Sequence, residues 1–122
     1  MDLRALLIED DELCARALAR TLVRHGIPTD VVSTARDART RFAGSPYPVV
    51  IADFGLPGDE TGFGLLRYVH DNFPSTRCIL ISGSRQAASL PKEDWFTFLS
   101  KPFSSDALLR AIQAQTTEVH DG

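Results

Sequence analysis

The sequence predicts an α/β domain, a doubly wound five-stranded parallel sheet with helices on both faces. Three observations carry that prediction. Short apolar runs alternate with longer amphipathic stretches, and strands separated by helices pair in parallel because each return crosses the sheet. The short runs are apolar at consecutive positions, the pattern of strands covered on both faces. Almost every run also stops at a polar or charged residue, and in a parallel sheet those residues gather outside the carboxyl ends of the strands, where ligands bind.

The elements follow in order. Ala5–Leu6–Leu7–Ile8 is too short for a helix and meets Glu9–Asp10–Asp11–Glu12 at once, so it reads as a buried strand. From Asp11 to His25, Leu13, Cys14, Ala17, Leu18, Leu22 and Val23 make a helical stripe that Gly26 and Pro28 end. Asp30–Val31–Val32 reads as a second strand, and Ala35 to Phe42 as a second helix stopped by Gly44–Ser45–Pro46. Val49–Val50–Ile51–Ala52 is the clearest strand, a β-branched run after Pro48 that ends in Asp53. A loop rich in Gly and Pro, Phe54 to Thr61, precedes a helix over Phe63 to Phe73 with Leu65, Leu66 and Val69 on its inner face. Cys78 to Ile81 and Trp95 to Leu99 are the fourth and fifth strands, with a weak helix around Gln86 to Leu90 between them. Ser104 to Ala114 is a stronger helix facing inward through Leu108, Leu109 and Ile112, and residues 115–122 lose the apolar period and read as a frayed tail.

A chain of 122 residues has room for one domain, taken as residues 1–114. Its 13 Lys and Arg against 16 Asp and Glu, a net charge of −3, are spread along the chain, which excludes a basic nucleic-acid footprint. Cys14 and Cys78 sit inside apolar runs and read as buried free thiols in a reducing compartment. His25, His70 and His120 lack metal-ligand partners at matching spacing and read as surface histidines. The first residues have no apolar stretch long enough for a signal peptide, and no run approaches the roughly 20 residues of a membrane span. The expectation is a soluble cytoplasmic protein.

The strand ends carry the chemistry: Glu9–Asp10, Asp53, Ser82–Gly83–Ser84 and Ser100–Lys101–Pro102 follow strands one, three, four and five. Their convergence brings at least three carboxylates, a hydroxyl and an ammonium into one cleft. Like-charge repulsion among the carboxylates calls for a cation, and an all-oxygen donor set favours a hard ion such as Mg²⁺. Asp11 and Glu12 read instead as a helix N-cap or solvated loop residues.

With these motifs in hand the chain resembles the receiver domains of two-component response regulators, a flavodoxin-like, CheY-like topology, from Leu6 to about Ile112. The resemblance rests on Leu7–Ile8–Glu9–Asp10–Asp11, Val50–Ile51–Ala52–Asp53 with Leu56–Pro57–Gly58, Ile81–Ser82–Gly83 and Lys101–Pro102–Phe103, in that order. It implies that Asp53 is the phosphoacceptor for a histidine kinase or phosphotransfer protein in a phosphorelay. Mg²⁺ would be held by Asp10, Asp53 and the Gly55 backbone carbonyl, with Glu9 acting through a water. Lys101 would pair with a phosphoryl oxygen, Ser82 would hydrogen-bond another, and Lys101–Pro102 would be a cis peptide. Ser82 and Phe98 would form the switch, read out by a downstream protein target on the face of the helix around Gln86–Leu90, the fifth strand and the last helix. Such a domain is a signalling module with self-catalysed phosphotransfer, and no direct nucleic-acid or membrane contact is expected of it.

Rival readings are a flavin or nucleotide binder, which an acidic turn after strand one repels, and an aspartyl-phosphate hydrolase, for which position 55 would need a second acid and has glycine. A receiver-like interaction module that is never phosphorylated is the alternative of a different class. The chain departs from the family pattern between Gly58 and Gly62, where Asp59–Glu60–Thr61 is one residue longer than the common loop and is expected to set two extra carboxylates at the cleft mouth. The Ser82–Lys101 interval is shorter than usual, with Lys92–Glu93–Asp94 before strand five. From that shortening, Phe98 is expected to point inward even without phosphate. Whether the domain stands alone or belongs to a larger protein is left open.

Overall fold

The computed structural model describes residues 3–83, 89–90 and 93–117. Along them run β1 (Ala5–Ile8), α1 (Glu12–Arg24), β2 (Thr29–Val32), α2 (Ala35–Gly44), β3 (Val49–Asp53), α3 (Gly62–Asn72), β4 (Arg77–Ser82), β5 (Phe96–Ser100) and α4 (Ser105–Thr117). The strands form one parallel sheet in the order β2-β1-β3-β4-β5. The strand order reverses direction between β1 and β3, which makes their carboxyl ends the switch point where such sheets bind ligands.

Consecutive apolar residues in the strands are divided between two cores. Leu6, Ile8, Val50, Ala52, Cys78 and Leu80 face one side, where α2 and α3 supply Ala38, Phe42, Leu65, Leu66 and Val69. Ala5, Leu7, Val49, Ile51, Ile79 and Ile81 face the other, against Ala15 and Leu22 of α1 and Leu108, Ala111 and Ile112 of α4. This explains why β1, β3 and β4 read as unbroken apolar runs: each alternate side chain has a helix to pack on, and each large one contributes about 1.5–3 kcal/mol by leaving water.

Local chemistry sets where the helices begin. Asp11, Thr34, Thr61 and Ser104 accept the backbone N–H three residues on, from Cys14, Asp37, Gly64 and Ala107, at 3.1 Å each. Asp11 is thus a helix cap, as expected. Helix ends were harder to place, since α2 runs on past Phe42 to Gly44 and α4 past Ala114 to Thr117. In α2 the added residues Ala43 and Gly44 are exposed and give a periodic pattern nothing to register, while the chain keeps its helical hydrogen bonds as far as Ser45 N to the Arg41 carbonyl at 3.0 Å. Gly26, at φ 81°, turns the chain out of α1.

Of the weak helix expected around Gln86–Leu90, residues 86–88 lie outside the described residues, as do Ser84, Lys92 and the end of the tail with His120. Leu90 packs against the α2–α3 core. Cys14 and Cys78 are free thiols. Among the described residues no helix is long and apolar enough to cross a membrane. His70, expected at the surface, is half-buried and stacks on Trp95 with ring centroids 4.8 Å apart.

Candidate functional site at the carboxyl ends of the strands

Parallel register brings the strand ends level. Ile8 lies beside Ala52, Asp53 beside Ile81 and Ser82 beside Ser100, so the residues that end or follow these strands share one edge. There Glu9, Asp10 and Asp53 each offer a carboxylate oxygen within 4.8 Å of the others. Lys101 crosses the cluster, its Nζ donating to Glu9 Oε1 at 3.0 Å and to Asp53 Oδ2 at 3.2 Å. The lysine stem passes Gly83, where even an added Cβ would stand 3.8 Å from Lys101 Cβ. The Lys101 N–H bonds to the Ser82 carbonyl at 2.8 Å, and Lys101–Pro102 is cis.

The acids occupy different environments. Glu9 is 2% exposed, and its second oxygen accepts the Asp11 N–H at 3.1 Å. Burial pushes its carboxyl up, against the opposing pull of the Asp11 and Lys101 hydrogen bonds. Asp10 is exposed. The Asp53 side chain is 14% exposed and accepts the Gly55 N–H at 3.4 Å. Burial alone would push the Lys101 ammonium down, but the Glu9 hydrogen bond and the charges of Asp53 and Glu9 outweigh it and hold it above its ordinary value. One lysine therefore stays charged among three carboxylates and leaves the cleft net negative. A groove of about 480 Å³ leads from Glu9 and Asp10 past Val32 to Asp37 and Arg41, opening the cluster toward the β2 edge.

Glu9, Asp10, Asp53 and Lys101 are thus brought together, and Ser82 sits at the same edge, 1% exposed. Phe98 is different. It is 38% exposed, which corrects the expectation that it points inward. Phe98 lies on β5, which among the described residues is an edge strand paired with β4, one repeat beyond Phe96, which is the β5 aromatic that packs beside Phe63 at 5.5 Å and enters the core. The two extra acids of the lengthened loop do not both face the cleft mouth, because Glu60 is forked by Arg39 of α2. No local pattern signalled that pair, whose partners are 21 residues apart. Cys14 also borders the site. Burial first and the neighbouring Glu9 second push its thiol up, which suits an inert group.

Sheet order and strand-end cluster together define an α/β domain of flavodoxin-like topology with an acidic, lysine-crossed cleft. Comparison with known proteins narrows the class: the family model for the response regulator receiver domain matches residues 5–113, and the chain belongs to that family. It is 34% identical over 113 residues to the C4-dicarboxylate transport transcriptional regulatory protein DctD of Pseudomonas aeruginosa, covering 90% of this chain and 24% of that protein. It is 29% identical over 118 residues to the transcriptional regulatory protein PmrA of Pectobacterium parmentieri, covering 92% of this chain and 51% of that one. The chain thus spans about a quarter of the length of the first relative and about half of the second. Among solved structures, it superposes on the signal receiver domain of an HD domain-containing protein from Pseudomonas fluorescens with a TM-score of 0.85 at 25% identity, over 100% of both chains. A CheY-like receiver domain from Methylobacillus flagellatus gives 0.80 at 26% identity, over 94% of this chain and 99% of that one. Receiver domains of response regulators are signalling domains of two-component systems, and the cluster of Glu9, Asp10 and Asp53 fits their Mg²⁺ and phospho-aspartate site.

Proposed function

We propose that this chain is a phosphoacceptor whose Asp53 takes a phosphoryl group from the phosphohistidine of a histidine kinase or phosphotransfer protein. The observation that carries the reading is Lys101 Nζ, 3.2 Å from Asp53 Oδ2, beside two further carboxylates drawn to the same point. An Asp53 oxygen forms the new bond to phosphorus as the donor's P–N bond breaks, and the released imidazole keeps the electron pair. Both reactants are anionic, so the work left to the protein is placement and charge. Lys101 is already charged and aimed at Asp53, and it can turn from the carboxylate to a phosphoryl oxygen. The Ser82 hydroxyl, which ends β4 level with Ser100, would hydrogen-bond another oxygen.

The donor set is all oxygen and rich in carboxylate, which fits Mg²⁺: Asp10, Asp53 and the Gly55 carbonyl would hold it, with Glu9 behind them through a water. When bound, the ion neutralises the repulsion between donor phosphate and acceptor. Each Glu9 oxygen already accepts one hydrogen bond, from Lys101 Nζ and from the Asp11 N–H, which suits a supporting role rather than direct ligation. Residues 1–114 would be the functional unit, acting in the cytoplasm. Its output would be read by a protein partner on the face of β5, α4 and the segment after β4, with Ser82 and Phe98 as the switch pair and Phe98 moving from its exposed position.

Incubation with acetyl phosphate and Mg²⁺ should add one phosphate by mass spectrometry, and Asp53→Asn should abolish it. Labelling of Asp53→Asn to the parent's extent would show the acceptor to be elsewhere. A parent that never labels would instead support an interaction module without phosphorylation.

A further inference from the structure

The loop between β3 and α3 is held at two places. At its base the Phe54 carbonyl accepts the N–H of Leu56 at 3.1 Å and of Gly62 at 3.0 Å. Gly62 lies so close to the acceptor strand that a Cβ there would stand 2.1 Å from the Asp53 carbonyl oxygen. Farther along, Glu60 reaches across to α2, where Arg39 Nε donates to Oε1 at 2.9 Å and Nη2 donates to Oε2. The Arg39 guanidinium carbon lies 4.0 Å from the centre of the Tyr68 ring on α3. Glu60 also packs over the first turn of α3, its Cγ 3.4 Å from where a Gly64 Cβ would be. One residue from α2, one from the loop and one from α3 therefore meet at a point seven residues beyond Asp53.

This geometry is stronger than a surface ion pair. The contact is a planar fork, the guanidinium lies over an aromatic ring, and the two side chains are partly covered, Glu60 at 28% and Arg39 at 41% exposed, so water competes for the pair less than at an open surface. The same fork takes a carboxylate out of a cleft that already holds three. The loop so held is also the one that carries Gly55, whose N–H touches Asp53 Oδ1 at 3.4 Å.

We propose that Arg39 is a positioning residue for the cleft: by gripping Glu60 it fixes the loop from Phe54 to Thr61, and so couples α2 to cation binding at Asp53. This rests on the reading of the cleft as a Mg²⁺ site. It assigns to the lengthened loop a holding contact that takes up the freedom its extra residue adds.

The test is a Mg²⁺ titration of the full chain, followed by the amide shifts of Asp53, Phe54 and Gly55, with thermal melts run alongside. Arg39→Ala and the near-isosteric Glu60→Gln should each weaken Mg²⁺ binding about three- to tenfold, with the double variant little worse than either. Reversing the pair, Arg39→Glu with Glu60→Arg, should recover part of the loss. Glu60→Gln keeps the test open if Arg39→Ala folds poorly. Unchanged affinity in folded variants, even with lowered melting temperatures, would overturn the proposal and leave a purely structural pair. Tighter binding by either variant would overturn it as well, and in Arg39→Ala it would show that a released Glu60 joins the cleft. A parent that takes no Mg²⁺ would sink the reading of the site itself, a result separate from unchanged variants of a parent that does bind.

Discussion

Gly62→Ala and Gly64→Ala should act in opposite directions although they stand two residues apart. A Cβ at Gly62 would meet the Asp53 carbonyl oxygen at 2.1 Å and its carbon at 2.6 Å, both backbone atoms of the acceptor strand. Neither can swing aside as a flexible side chain would, so the loop and the end of β3 must part by roughly 1 Å, an overpacking that costs about 1–3 kcal/mol. The Gly62 N–H bond to the Phe54 carbonyl, 3.0 Å long, would weaken as they part. The atoms nearest a Cβ at Gly64 are side-chain atoms of Glu60 and Thr61, at 3.4 Å or more, and alanine inside a helix gains about 0.5–1 kcal/mol over glycine. Urea denaturation should therefore find Gly62→Ala destabilised and Gly64→Ala neutral or stabilised. Because the displaced atoms belong to Asp53 and Phe54, Gly62→Ala should also slow acetyl phosphate labelling by about ten- to a hundredfold, as a misplacement near 1 Å does at a reacting centre. Equal stabilities for the two variants, or parent-like labelling of Gly62→Ala, would refute the claim that glycine is required by close approach.

Lys101→Ala strips the buried Glu9 carboxylate of its cationic partner and should cost about 1–3 kcal/mol near neutral pH. Glu9 already has a raised carboxyl and would rise further, so the deficit should shrink as the pH falls and Glu9 takes a proton, which urea melts across pH 5 to 8 would check. Tyr47→Phe removes the hydroxyl that donates to Asp30 Oδ2 at 2.6 Å and leads the effects that hold Asp30 below its ordinary value. That contribution, about 1 kcal/mol or less because Asp30 is partly solvated, is present above the unfolded carboxyl pKa and disappears as pH falls through the lower folded one. A deficit that did not shrink as the pH was lowered through the carboxylate range would refute it. Phe96→Ala should lose about 3–5 kcal/mol and Phe98→Ala much less, since only Phe96 is buried, and thermal melts of the two would expose a wrong assignment.

Trp95 is a poor reporter for cation titrations. It precedes Phe96 at the amino end of β5, stacked on His70 and packed on Phe63, whereas the cleft lies beyond Ser100 at the other end. Amide shifts of the loop after β3 are the direct probe.

Much of the molecule was legible in the chain because its signals are local. An apolar run of strand length, a Ser, Thr or Asp before a helical stripe, and a polar residue ending each strand all report within a few positions, so every described strand and helix was anticipated, with the family motifs in their order. The carboxylates and the lysine were legible because parallel strands bring their ends together whatever the details of packing. Tertiary structure decided what depends on register and depth. Glu9 is buried while the adjacent Asp10 is exposed, because one side chain turns under Lys101 and the next does not. Phe98 is exposed while Phe96 is covered, because Phe96 reaches Phe63 of α3 and the core it belongs to. Glu60 leaves the cleft for Arg39, and Gly62 presses on Asp53, because chain segments distant in sequence meet there. Nothing in the spacing of neighbours encodes such a meeting; it exists only once the sheet has its order and the helices have packed.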